Sequence, residues 1–140
     1  MDKDGPIIVV EDDLDDQEFL SEILLELNQR NEVVFFSDAR AAYNYLLGAE
    51  IKPFIIISNI SLPGMSGLEL REKIFHDPNL QAKGIPYLFM TAGNTQKMIQ
   101  QAYGLSVQGI FHKPSSLVEW KVVLKKILDY WNASISLEGY

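Results

Sequence analysis

The chain has 140 residues, 47% of them hydrophobic and 22% charged, and a formal net charge of −7, which is the size and balance of one globular domain. The acidic balance argues against nucleic-acid binding through a broad basic face, and the lack of cysteine excludes disulfides and thiolate chemistry. No apolar run approaches the ~20 residues that span a membrane, and the short acidic start, Met1 to Pro6, is not a secretory signal, so the expected location is cytoplasmic.

Ile7-Ile8-Val9-Val10 is a β-branched run that predicts a strand buried on both faces. It ends in Glu11-Asp12-Asp13. Asp15 and Asp16 then sit where a helix start favours negative charge, and Phe19, Leu20, Ile23, Leu24 and Leu27 form one apolar stripe. Val33 to Phe36 predicts a second strand. Ser37 or Asp38 can cap the next helix, which carries Ala41, Ala42, Tyr45 and Leu46 on one face. Phe54 to Ile57 predicts a third strand, followed by a strong loop signal from Leu62 to Gly67. Leu68, Leu70, Ile74 and Phe75 predict a third helix that stops near Asp77-Pro78. Pro86 to Met90 predicts the fourth strand, Thr95 to Tyr103 a helix, and Val107 to Phe111 the fifth strand. Ser115 or Ser116 caps a last helix bearing Leu117, Trp120, Val123, Leu124, Ile127, Leu128 and Trp131. The ends, 1–6 and 132–140, carry no pattern and are expected to be flexible, which leaves one domain over 7–131.

Strands that alternate with helices five times imply an α/β fold, a doubly wound parallel sheet with helices on both faces and right-handed crossovers. In such sheets ligands bind at the carboxyl ends of the strands. The polar residues fall there. Glu11 and Asp12 follow the first strand, Asn59 and Ser61 the third, Thr91 the fourth and Lys113 the fifth. A threonine at a strand end commonly caps a turn, and a lysine before proline is commonly solvated. Their joint placement on four strand ends points instead to one pocket.

Val9-Val10-Glu11-Asp12-Asp13, Leu62-Pro63-Gly64-Met65-Ser66-Gly67, Met90-Thr91-Ala92 and His112-Lys113-Pro114, in this order and on these elements, resemble the receiver domains of two-component response regulators. The resemblance covers Ile7 to Trp131. It implies a CheY-like, flavodoxin-like (βα)5 fold with strand order 2-1-3-4-5. It also implies a phosphorelay in which a histidine kinase phosphorylates an aspartate at the end of the third strand. Glu11 and Asp12 match the acids that help to hold Mg²⁺, with Asp12 as the direct ligand and the carbonyl of Ser61 as another. Thr91 and Lys113 match the residues that receive phosphoryl oxygens. A few hard oxygens plus water suit Mg²⁺, and phosphoryl transfer needs charge neutralisation above all.

Two positions depart from that pattern. The acceptor stands four residues before the proline of the Leu-Pro-Gly loop, and counting back from Pro63 gives Asn59. An amide has no anionic oxygen to attack phosphorus. The aromatic switch position, three residues before Lys113, is Ile110, and the adjacent Phe111 should face the other side of the strand. The expectation is a phosphorylation-independent pseudo-receiver with weak Mg²⁺ binding at most. It would be a binding module rather than an enzyme, acting on a histidine kinase, phosphotransfer or output protein, or on itself, through the face from Thr95 to Trp131. An ordinary receiver carrying an engineered Asp-to-Asn change at 59 is the alternative. A Mg-dependent phosphatase of the haloacid-dehalogenase type would want Asp-x-Asp after the first strand, where this chain has Glu11-Asp12-Asp13. A flavodoxin would want a phosphate loop there. His76 suits a helix end, and His112 lacks matching ligand spacing.

Overall fold

The computed structural model describes residues 1–27, 30–48 and 50–137. Five strands, β1 (Ile7–Val10), β2 (Val33–Phe36), β3 (Ile55–Asn59), β4 (Tyr87–Thr91) and β5 (Gly109–His112), form one sheet in the order 2-1-3-4-5 with every neighbouring pair parallel. Among the described residues six helices surround it: α1 (Leu14–Leu27), α2 (Ala39–Leu46), α3 (Gly67–His76), α4 (Pro78–Ala82), α5 (Gln96–Gly104) and α6 (Leu117–Ala133).

The period of two in the strands sorts the core into two layers. Ile7, Val9, Ile55, Ile57, Leu88 and Met90 pack with Leu20, Ile23 and Leu24 of α1 and with Trp120, Leu124, Ile127 and Leu128 of α6. Ile8, Val10, Ile56, Tyr87 and Phe89 pack on the other face with Ala42 and Leu46 of α2, Leu70 and Ile74 of α3 and Ala102 of α5. The three central strands, β1, β3 and β4, are buried on both sides, which is why they read as apolar runs, while β2 and β5 at the edges are half-buried.

Several local expectations change. Asp38, not Ser37, caps α2 by accepting the Ala41 amide at 2.8 Å. Ser116, not Ser115, caps α6. α1 starts at Leu14, and Asp13 accepts the Asp16 amide at 3.0 Å. Phe19 was expected on the buried stripe but flanks it, 37% exposed. The stop at Asp77-Pro78 is also a start. The Asp77 side chain accepts the amides of Asn79 and Leu80, Pro78 occupies the first turn, and α4 follows, since proline removes a donor that a helix start does not use. β3 extends to Asn59, and β5 lies one to two residues later than expected.

α6 runs past Trp131 to Ala133. Ahead of β1, the carbonyls of Lys3 and Gly5 accept hydrogen bonds from Asn31 at 2.8 and 2.6 Å. Residues 138–140, the end of the tail expected to be flexible, lie outside the described residues.

Candidate functional site

The carboxyl ends of β1, β3, β4 and β5 meet at one edge of the sheet. Glu11 directly follows β1 and is 3% exposed. One of its oxygens lies 2.6 Å from the Lys113 ammonium. The other accepts the Asn59 side-chain amide at 3.0 Å and the Asp13 backbone amide at 3.2 Å. The Asn59 amide also reaches Asp12 Oδ1 at 3.4 Å, and Asp12 itself is exposed. Lys113 makes a second ion pair, with Asp16 of α1, at 2.7 Å. Gln17 donates from α1 to the Glu11 carbonyl and fixes the loop below the cluster.

The loop after β3 is set by close packing. A β-carbon on Gly67 would lie 2.0 Å from the Asn59 carbonyl oxygen, so only glycine lets α3 start against the end of β3. The Gly67 amide donates to the Ile60 carbonyl at 2.8 Å. Gly64, at the tip of the intervening loop, has φ +73°, a left-handed conformation that glycine adopts without strain.

Burial pushes the Glu11 carboxyl up, and the bonds from Lys113 and the Asp13 amide recover only part of that shift. Burial pulls the Lys113 ammonium down, but Asp16 and Glu11 together more than reverse it, so Lys113 is held above the ordinary lysine value. The two directions agree: the pair keeps the ammonium charged, while the more deeply buried carboxylate bears the desolvation.

Of the residues read from the sequence, Glu11, Asp12, Asn59 and Lys113 touch directly. Thr91 borders them through backbone, its carbonyl accepting the Lys113 amide at 2.8 Å. Its hydroxyl donates to Gly93 O at 2.8 Å. Ser61 is exposed on the loop after β3. Ile110 packs into the α5-side core with Met98 and Ala102, and Phe111 packs into the α6-side core. Ser58 faces away from the cluster, its hydroxyl donating to the Asn59 carbonyl at 2.8 Å.

Asp16 was missed. The signal was present, because Asp16 stands four residues ahead of Leu20 and so continues the buried stripe of α1 with a carboxylate. A charge on that stripe has to meet a partner, and the partner is Lys113. Among the described residues, no group of three or more His, Cys, Asp or Glu is arranged to hold a metal ion. The oxygens that could serve a hard cation are the Asp12 carboxylate, the Asn59 side-chain carbonyl and the Ser61 backbone carbonyl.

The sequence profile of the response regulator receiver domain matches residues 7–125. The chain belongs to that family. The receiver domain is a module of two-component signalling, and similar proteins cover nearly all of this one. A probable methanogenesis regulatory protein, FilR2 of Methanothrix harundinacea, is 25% identical over 129 residues, 89% of this chain and 82% of its own. Response regulator Rcp1 of Synechocystis is 24% identical over 136 residues, covering 94% and 91%. The Mn²⁺-bound structure of Rcp1 superposes with a TM-score of 0.81 at 23% identity, covering 95% of this chain and 98% of that one. The phosphorylated cyanobacterial phytochrome response regulator RcpA superposes with a TM-score of 0.82 at 26% identity, covering 94% and 96%.

Proposed function

We propose that this receiver domain signals through protein contact without accepting a phosphoryl group. The observation that carries this reading is Asn59 at the end of β3, its amide turned as a donor toward Glu11 and Asp12. A phospho-acceptor needs an anionic oxygen there. The amide nitrogen's lone pair is delocalised and the amide oxygen is neutral, so no acyl phosphate forms. The donors that would meet phosphoryl oxygens are also engaged, Lys113 by Glu11 and Asp16 and Thr91 by Gly93.

Mg²⁺, if bound, would neutralise the carboxylates. Asp12, Asn59 and Ser61 would hold it, with water completing the shell. Turning the Asn59 carbonyl inward for this role would break its bonds to Glu11 and Asp12, and hard cations lose affinity with each ligand charge removed. The fit is that of a weak site, with a dissociation constant of millimolar order or above.

The contact surface in this reading is the face formed by α5, β5 and α6. Tyr103, Val118, Val122 and Tyr130 are exposed there, at 56, 73, 47 and 65%, and exposed large side chains of this kind favour a partner protein or a second copy. Ile110, packed inward in place of a mobile ring, supports a face held in one arrangement.

The test is incubation with acetyl phosphate and Mg²⁺ followed by intact-mass analysis. The expected result is an unchanged mass. A stable added phosphoryl group would overturn the reading.

A further inference from the structure

A second polar site lies at the amino ends of β4 and β5, the opposite edge of the sheet from Asn59. Arg71 of α3 is buried there to 7% exposure. A buried charge is costly unless it is compensated. No carboxylate among the described residues pairs with Arg71. Its Nε donates to the Leu105 carbonyl at 2.8 Å and its Nη2 to the Ser106 carbonyl at 3.0 Å. These carbonyls end α5, where the helix dipole is negative. The guanidinium also lies 5.4 Å from the ring centres of Phe75 and Tyr87. Burial draws the Arg71 pKa down from the usual arginine value.

These contacts leave donors unused. A guanidinium has five N–H groups, and Nη1 bonds to no acceptor among the described residues. Among the described residues no fully buried side-chain polar atom lacks a partner, so Nη1 keeps some exposure. Arg71 also lines a cavity of about 450 Å³, within the usual size range of small-molecule sites. Gln81, Ser106 and Gln108 supply its other polar groups, Phe75 and Trp131 supply aromatic walls, and among the described residues no Asp or Glu lines it. In a chain of net charge −7, an arginine with an unused donor lining a cavity favours an anionic ligand over a neutral one.

We propose that this cavity binds a small organic carboxylate, its anionic group on Arg71 and its apolar part between Phe75 and Trp131. The site is independent of Asn59 and of the phosphorylation reading. The cavity joins α3, the end of α5 and Trp131 of α6, so an occupant would brace the two helices of the proposed contact face from behind.

The test is an amide NMR titration of the full chain with benzoate, using benzyl alcohol as the neutral control. Benzoate should give saturable shifts at Gly84, Ser106, Gln108 and Trp131, and benzyl alcohol should bind about tenfold more weakly or not at all. Arg71→Met should abolish benzoate binding. Gln81→Glu places a carboxylate at the mouth of the cavity without touching Arg71's bonds to α5, and should weaken benzoate about threefold or more. This second variant carries the test if Arg71→Met fails to fold. No saturable shift with benzoate, equal binding of benzyl alcohol, or wild-type benzoate affinity in Gln81→Glu would each overturn the proposal.

Discussion

At the scale of single residues, Asn59 exchanges repulsion for hydrogen bonding. Its amide lies 3.0 Å from a Glu11 oxygen and 3.4 Å from an Asp12 oxygen. In Asn59→Asp an anionic oxygen would take that place. With carboxylate centres ~5 Å apart and an effective dielectric of ~20, each like-charge pair costs roughly 3 kcal/mol. Water and partial protonation relieve much of it, so Asn59→Asp should lose about 1–3 kcal/mol of stability in EDTA and recover it in Mg²⁺. Urea unfolding of both proteins, with and without Mg²⁺, checks this, and an unchanged midpoint in EDTA would contradict it. Glu11 gives a second prediction. Its folded-state pKa is raised above the ordinary 4.5 by burial. The stability tied to this group is therefore fully present below that value and is lost as pH rises through the raised one. In metal-free buffer, the stability of the wild type relative to Glu11→Gln should fall between pH 4.5 and neutrality. A flat difference would show that the bonds from Lys113 and the Asp13 amide fully offset burial.

At the scale of elements, the decisive junction is that between β3 and α3. A β-carbon at residue 67 would meet the Asn59 carbonyl oxygen at 2.0 Å and the Phe89 ring at 2.9 Å. The first obstacle is strand backbone, which does not yield. Gly67→Ala should cost about 1–3 kcal/mol and shift the Asn59 side-chain amide resonances as α3 moves off the sheet; wild-type stability would refute the argument. Much of this architecture was legible in the sequence. Short apolar runs and helical stripes place every strand and the five longer helices, because a covered sheet wants apolar residues on both faces and a helix on one. α4 was not legible, since Asp77-Pro78 signals both the end of one helix and the beginning of the next. Phe19 and Asp16 went wrong together. Hydrophobicity assigns the phenylalanine to the buried stripe and the helix dipole accounts for the acid, whereas helix geometry also puts Asp16 in line with Leu20. The meeting of Glu11, Asp12, Asn59 and Lys113 followed from strand-end topology. Arg71 carried no signal of burial, because its partners are backbone carbonyls supplied by the turn after α5.

At the scale of the whole molecule, the layer on the α1 and α6 side joins the two ends of the sequence. Leu124 is fully buried between α6 and α1. Leu124→Ala should cost about 2–5 kcal/mol, and amide exchange should speed up in α1 and β1 as well as in α6; faster exchange in α6 alone would mean that the layer is not one cooperative unit. Ion pairs repeat the same link, Lys113 with Asp16 and Lys121 with Glu26. This joining of early and late segments bears on synthesis. When α1 leaves the ribosome its core face, Leu20, Ile23 and Leu24, lacks α6, which is translated after all five strands of the sheet. The sheet's first three strands can assemble early, but one side of them stays open until α6 arrives. A nascent chain therefore completes this fold only after α6 has emerged, and until then it presents a sticky apolar surface of the kind that chaperones recognise.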